Sequence, residues 1–75
     1  MRKTYYVVQR SSDSKFWDGV GWIDDIESAA LFSRSGAAIE IMEGHVRRTG
    51  MGFFVQRVAF TVDLSTTIEQ TVEGR

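Results

Sequence analysis

Cysteine and proline are absent from the 75 residues, and His45 is the single histidine. Disulfides are therefore excluded, and a structural zinc site is disfavoured because it needs several thiolate or imidazole ligands. Nine basic and ten acidic residues leave a formal net charge of −1, which disfavours strong non-specific binding to nucleic acid. Without a covalent or metal cross-link, so short a chain depends for its stability on good packing or on self-association, for instance as a homodimer.

Long apolar runs are also missing, since no stretch approaches the roughly 20 residues that span a membrane. The basic pair Arg2-Lys3 is not followed by an apolar segment with a cleavage site, so no signal peptide is expected. Together with the lack of cysteine, this favours an intracellular, cytoplasmic protein. The length suits a single domain over residues 1–75, and the nine aromatic residues can bury a large area within it.

The first third of the chain has the pattern of a β-hairpin. Residues 4–10 (TYYVVQR) predict a strand, residues 11–14 a polar turn, and residues 15–23 (KFWDGVGWI) an aromatic return strand. Gly19 and Gly21 interrupt the return strand and indicate a bulge or a turn. They lack the downstream Lys-Ser/Thr of a phosphate-binding loop.

Residues 33–48 predict the main helix, with a serine at its start that suits an N-cap and an apolar face that includes His45. Gly44 costs about 1 kcal/mol inside a helix. An alternative therefore ends the helix at Glu43 and makes a strand of residues 45–48. The sequence leaves both interpretations open.

Residues 53–62 (FFVQRVAFTV) are apolar on both faces, as in a strand at the centre of a sheet. Residues 63–75 are polar and predict a short helix or a frayed tail. The expected fold is α+β, with a three-stranded antiparallel sheet in ββαβ order and one main helix packed on one face. The other sheet face is expected to stay open for water, a second copy or a partner.

Catalytic chemistry has little support in the sequence. His45 is the sole candidate base, and its place on an apolar helix face favours a packing role. The acidic group of Asp18, Asp24, Asp25 and Glu27 has two interpretations, a cation or acid–base site and a helix cap with solvated charge. Consecutive carboxylates at a helix start favour the cap, with Asp24 as the capping residue and Glu27 at the spacing of a capping box. We therefore expect no enzyme activity, no catalytic residues, no metal ligands and no cofactor.

Binding to a protein partner is the favoured function. Tyr6 and Trp17 are the expected anchors on the open sheet face, because exposed aromatic residues often dominate interfaces. Trp22 is a further candidate contact. It has the opposite parity to Trp17 on the predicted return strand, so one of the two faces the helix and the other the open sheet face, whereas a bulge at Gly19 or Gly21 would allow both to be buried. Asp24 and Asp25 form the expected acidic rim.

A nucleic-acid-binding module is the alternative function. Arg10, Lys15 and Arg57 would contact phosphates while Tyr6 and Trp17 stack on bases. The slightly negative net charge makes this alternative weaker than protein binding.

The spacing of core residues resembles that of small uncharacterised proteins common in bacteriophage and prophage genomes. The resemblance covers residues 4–62 and is carried by Tyr5-Tyr6-Val7-Val8, Phe16-Trp17, Gly21-Trp22-Ile23-Asp24, Ala30-Leu31-Phe32-Ser33 and Ala37-Ala38. It implies a phage-type ββαβ accessory protein without assigned site residues. Inhibition of a host or defence enzyme is one activity that such a resemblance allows.

The early strand and the Phe32-Ser33 step before the helix are also similar to the WGR domain, a DNA-linked module. The Trp-Gly-Arg triplet itself is absent, and Gly21-Trp22-Ile23 stands near its place. This second similarity would imply a role with nucleic acid.

Overall fold

The computed structural model describes residues 3–60 and 66–75, which contain one α-helix and five strands. All strands belong to one antiparallel sheet in the order β3-β2-β1-β4-β5. The expectation of a three-stranded sheet is therefore wrong. In chain order the elements are β1 (Lys3–Arg10), β2 (Phe16–Trp17), β3 (Trp22–Ile23), α1 (Ser35–Thr49), β4 (Phe53–Phe60) and β5 (Thr66–Gly74).

The centre of the sheet is the pairing of β1 with β4 along the full length of both strands, from Lys3 opposite Phe60 to Arg10 opposite Phe53. Both faces of this pair are apolar, as predicted for residues 53–62. Residues 61 and 62 of that expectation lie outside the described ranges. Because both faces are apolar, both need a cover.

Helix α1 covers one face of the central pair. Ala38 and Met42 project from the helix and pack with Val8, Phe53 and Val55 in one core, and each of these five residues is at most 1% exposed. We call this side of the sheet the helix face. It holds the larger part of the hydrophobic core and fixes the helix against β1 and β4.

The opposite face is also covered over its centre, so the expectation that it stays open is wrong. Val7 and Val58 are fully buried there. Ile26 and Ala29, from the segment between β3 and α1, pack over them. This segment includes a single 3₁₀ turn at Ile26–Ser28 and acts as a second cover, because two buried valines would otherwise face water.

The predicted N-cap at Ser33 is wrong, because helix α1 begins at Ser35. The chain before it is still extended. Phe32 exchanges two backbone hydrogen bonds with Tyr6, at 2.8 and 2.9 Å, and Arg34 has φ −123° and ψ 135°. Pairing with β1 keeps this segment extended, so the helix begins later than predicted.

The helix then runs through Gly44 to Thr49, in agreement with the longer of the two predicted helices. It ends at Gly50, whose left-handed backbone (φ 71°) lets its N–H donate to the carbonyl of Val46 at 2.8 Å. Within residues 3–60 and 66–75, no helix is long and apolar enough to cross a membrane.

The predicted return strand over residues 15–23 is two short strands joined by a tight turn. Trp17 and Trp22 pair directly across β2 and β3. Gly19 has φ 104°, which L side chains rarely adopt, so the chain can reverse at this point. The predicted strand is confirmed at Phe16–Trp17 and Trp22–Ile23 and is wrong for residues 18–21, which form the turn.

Residues 66–74 form the edge strand β5, so the expected helix or frayed tail is wrong for this part, while residues 63–65 lie outside the described ranges. The register with β4 shifts twice and leaves Glu69 and Val72 as extra residues on β5. Thr71 ties the strand to the sheet, since its hydroxyl donates to the side-chain carbonyl of Gln56 at 2.7 Å. The amide of Gln56 donates in turn to Gln9 at 2.9 Å.

Two glycines allow a matched test of this fold. A Cβ at Gly44 would meet no atom within 4 Å, so Gly44→Ala should raise the free energy of unfolding by about 1 kcal/mol through helix propensity. A Cβ at Gly52 would lie 2.7 Å from Oγ of Ser11 and 2.8 Å from the carbonyl oxygen of Arg75. Gly52→Ala should therefore lower the free energy by about 1–3 kcal/mol.

Urea unfolding followed by tryptophan fluorescence measures both changes. Equal effects of the two substitutions would contradict the helical assignment of Gly44 or the close approach at Gly52.

Candidate functional site

The hairpin formed by β2, its turn and β3 carries the candidate site. Trp17 and Trp22 project to the helix face with ring centroids 5.3 Å apart. The imidazole of His45 lies 4.5 Å from Trp17 and 5.1 Å from Trp22, and Phe53 stacks on Trp22 at 5.3 Å. We call these four residues the aromatic cluster. It attaches the hairpin to α1 and β4.

His45 is the buried polar member of the aromatic cluster, with only 6% of its surface exposed. Its Nδ1 lies 2.6 Å from a guanidinium nitrogen of Arg48. Because a guanidinium has donors and no acceptor, Nδ1 accepts the hydrogen bond and the ring is neutral, with its proton on Nε2. Burial lowers the pKa of His45, and the charge of Arg48 lowers this pKa further.

Arg10 borders the aromatic cluster from the end of β1. Its guanidinium carbon lies 4.8 Å from the centre of the Trp22 ring, within cation–π range. The same guanidinium donates two hydrogen bonds to the carboxylate of Asp13, at 3.1 and 2.5 Å. The hydrogen bond from Arg10 lowers the pKa of Asp13 to about 2. Arg10 is thus held between an indole and a carboxylate.

The turn at residues 18–21, which we call the Val20 turn, presents an apolar side chain to solvent. Val20 is 91% exposed, the largest value among the exposed large hydrophobic residues of the described chain. The Asp18 carboxylate accepts hydrogen bonds from the backbone N–H groups of Val20 and Gly21, at 2.8 and 2.7 Å. The Gly21 and Val20 bonds lower the pKa of Asp18, so its charged form holds the turn at neutral pH.

The predicted anchors are not on an open sheet face. Tyr6, Trp17 and Trp22 are all half-buried beside the helix-face core. The two tryptophans share a face because the Val20 turn reverses the chain and sets them opposite each other. The parity argument, which needed one continuous strand, therefore does not apply to them.

The predicted acidic rim lies directly after β3. Asp25 caps the 3₁₀ turn, accepting from the backbone N–H of Glu27 at 3.0 Å and from the hydroxyl of Ser28 at 3.2 Å. The capping interpretation therefore holds, but the capping residue is Asp25, so the expectation of Asp24 is wrong. Asp24 is exposed beside it. Residues 16–33 contain four of the ten acidic residues and none of the nine basic ones, so the hairpin lies in the most acidic part of the chain.

The structure brings together two of the three cations predicted for nucleic-acid binding, Arg10 and Lys15, and leaves Arg57 apart. Arg57 lies four positions along β4 from the residue that pairs with Arg10, a separation of about 13 Å. Arg10 is paired with Asp13, and Nε of Arg57 lies 3.6 Å from a carboxylate oxygen of Glu69. Lys15 adjoins Arg10, whose backbone N–H donates to the Lys15 carbonyl at 2.8 Å, on the other side of β1 from β4.

Within the described part of the chain, no group of three or more histidine, aspartate or glutamate side chains is placed to hold a metal ion. Comparison of the chain with protein-family models, with curated proteins and with solved structures finds no match. The interpretation of the site therefore depends on its own geometry.

Val20 is the site residue that reasoning from the sequence missed. Its signal was present as a single β-branched residue between two glycines and after an aspartate, the composition of a tight turn. The aromatic residues on both sides concealed this signal, because they gave the whole segment the character of a strand.

Asp18 should be the residue that fixes the Val20 turn. Asp18→Ala removes the acceptor of two backbone hydrogen bonds, so the amide protons of Val20 and Gly21 should exchange with solvent several-fold faster. Asp18→Asn keeps a side-chain carbonyl and should exchange at a rate closer to that of the unaltered chain. Hydrogen exchange followed by NMR gives both rates, and unchanged exchange in Asp18→Ala would contradict the assigned role.

Proposed function

We propose that this chain is a non-catalytic protein-binding module that docks on its partner through the Val20 turn. The exposure of Val20 on a hydrogen-bonded turn carries this proposal. Folding gains little from an apolar side chain that remains in water. Burying it in a partner's pocket would contribute about 1.5–3 kcal/mol. The Asp18 hydrogen bonds reduce the conformational entropy that docking would cost.

The tryptophans on either side of the Val20 turn extend the proposed docking surface. Trp17 and Trp22 flank the Val20 turn and remain half-buried, so part of each residue is accessible at the base of the turn. A partner that covers Val20 would also meet these indoles, and tryptophan is enriched among residues that dominate binding energy. Tyr6 lies farther along the helix face, beside the Phe32 bridge, and we leave it out of the docking surface.

Charge favours a partner with a basic contact surface. The segment around the turn carries Asp18, Asp24, Asp25 and Glu27 without a basic residue between positions 16 and 33. Complementary charge raises the rate of association and suppresses binding to acidic surfaces. Asp24 and Asp25 keep their proposed role as the rim of the interface.

The biological setting is part of the proposal. The resemblance over residues 4–62 supports a phage or prophage accessory protein that acts in the bacterial cytoplasm. Such a module would inhibit a host or defence enzyme by occupying its surface. The alternative of nucleic-acid binding has weaker support, because Arg10 and Arg57 are apart and each is paired with a carboxylate.

Paired serine substitutions test this docking surface. Immobilised protein is exposed to nuclease-treated bacterial lysate, and the unaltered chain is compared with Val20→Ser and Ile68→Ser. Ile68 is 42% exposed on β5, at the opposite edge of the sheet, and is therefore a matched control. Val20→Ser should weaken binding of the captured protein at least tenfold, whereas Ile68→Ser should leave it unchanged.

Two results would contradict the proposal. Equal loss of binding in both variants would show that Val20 has no special role. Binding to bare single- or double-stranded nucleic acid that falls steeply with salt would favour the alternative function instead.

A further inference from the structure

The aromatic cluster joins the docking hairpin to α1 through a titratable side chain. We propose that His45 makes the hairpin sensitive to acid. Its neutral imidazole holds Trp17 and Trp22 on the helix, and protonation of the ring loosens the hairpin and the Val20 turn. The effect on docking rests on the function proposed above. The conformational change does not depend on that function.

The contact with Arg48 requires a neutral imidazole. Because Nδ1 of His45 accepts a hydrogen bond from the guanidinium at 2.6 Å, it has no proton of its own in this arrangement. Protonation would place an N–H group against the donors of Arg48 and bring two positive charges into contact. The hydrogen bond would be lost and replaced by repulsion.

The remaining surroundings offer the charged ring little stabilisation. On β1, Arg10 adds a second cation over Trp22, and its partner Asp13 is held by two hydrogen bonds at the guanidinium. Strands β2, β3 and β4 meet the imidazole with uncharged rings, those of Trp17, Trp22 and Phe53. Burial therefore opposes the charged form, in the same direction as the like charge of Arg48.

On the helix face this packing holds the hairpin, because its backbone attachments are few. On the opposite face, Phe16 packs in the core with Val7 and Val58. Strands β2 and β3 have two residues each, and β2 meets β1 at the single register pair of Phe16 with Gln9. Two further backbone hydrogen bonds join the Arg10 N–H to the Lys15 carbonyl at 2.8 Å and the Ala30 N–H to the Trp17 carbonyl at 2.9 Å. Loss of the contact between His45 and the indoles should therefore loosen the hairpin locally and leave the central pair of strands intact.

An NMR titration of the unbound full chain tests directly whether protonation of His45 loosens the hairpin. His45 is the only histidine, so its ring resonances report one group without overlap. We expect its protonation midpoint below the ordinary value of about 6.5. The indole N–H resonances of the two tryptophans should change with the same midpoint, whereas the backbone amides of Val55 and Val58 should not.

Three substitutions separate titration from packing. His45→Phe keeps an aromatic ring and cannot titrate, so its indole resonances should be constant between about pH 4.5 and 7. Arg48→Gln removes the adjacent charge and should raise the midpoint of His45. Arg47→Gln is the matched control and should leave the midpoint unchanged, because the Arg47 side chain is 74% exposed and lies 4.0 Å from Glu43.

Three results would overturn the proposal. A midpoint above about 6.5 would show that the indole faces stabilise the charged ring. Indole resonances that stay constant while His45 titrates would show that the hairpin does not respond. The same acid transition in His45→Phe would assign it to another group. Each result is independent of whether Val20 contacts a partner.

Discussion

The rest of the structure depends on the burial of both faces of the β1–β4 pair. Neighbouring valines in β1, Val7 and Val8, point to opposite faces and are both fully buried. A chain of 75 residues has few residues outside the sheet with which to cover both of its faces. Helix α1 covers one face, and the segment between β3 and α1 covers the other. This need determines the path of the chain from the hairpin to the helix.

The path of that segment explains the position of the hairpin formed by β2 and β3. Ile26 and Ala29 hold the segment over one face, while Phe32 pairs with β1 at the sheet. The hairpin is therefore held at both ends near the edge of β1, and its indoles meet the C-terminal half of α1. The Val20 turn, which has no face to cover, extends into solvent. Residues that pack on the sheet and residues that are exposed to solvent therefore alternate within one short stretch of chain.

Elements with a strong periodic pattern could be predicted from the sequence, because the pattern follows directly from burial. The apolar character of residues 4–10 and 53–60 identified both central strands, and the helical period extended correctly through Gly44. Strand β5 was missed because an edge strand is mostly exposed and its residues are polar. Its pairing depends on β4, from which it is separated by the residues that follow Phe60.

The candidate site was predicted less well, because its geometry depends on one turn. Trp17 and Trp22 were selected for their aromatic character, but their common face follows from the reversal at Gly19, which strand parity does not describe. The cover formed by Ile26 and Ala29 was also beyond the sequence pattern. Both residues belong to one short turn, and only the tertiary path brings them onto the sheet.

The two extra residues on β5 have a consequence for the behaviour of the protein at high concentration. A long, regular outer strand would offer evenly spaced amide and carbonyl groups to any neighbouring chain. The irregularities at Glu69 and Val72 break this spacing and increase the local twist. Among the described strands, β5 is the one edge strand long enough to start the stacking of molecules into continuous fibrillar ribbons. Its irregular spacing therefore disfavours such stacking.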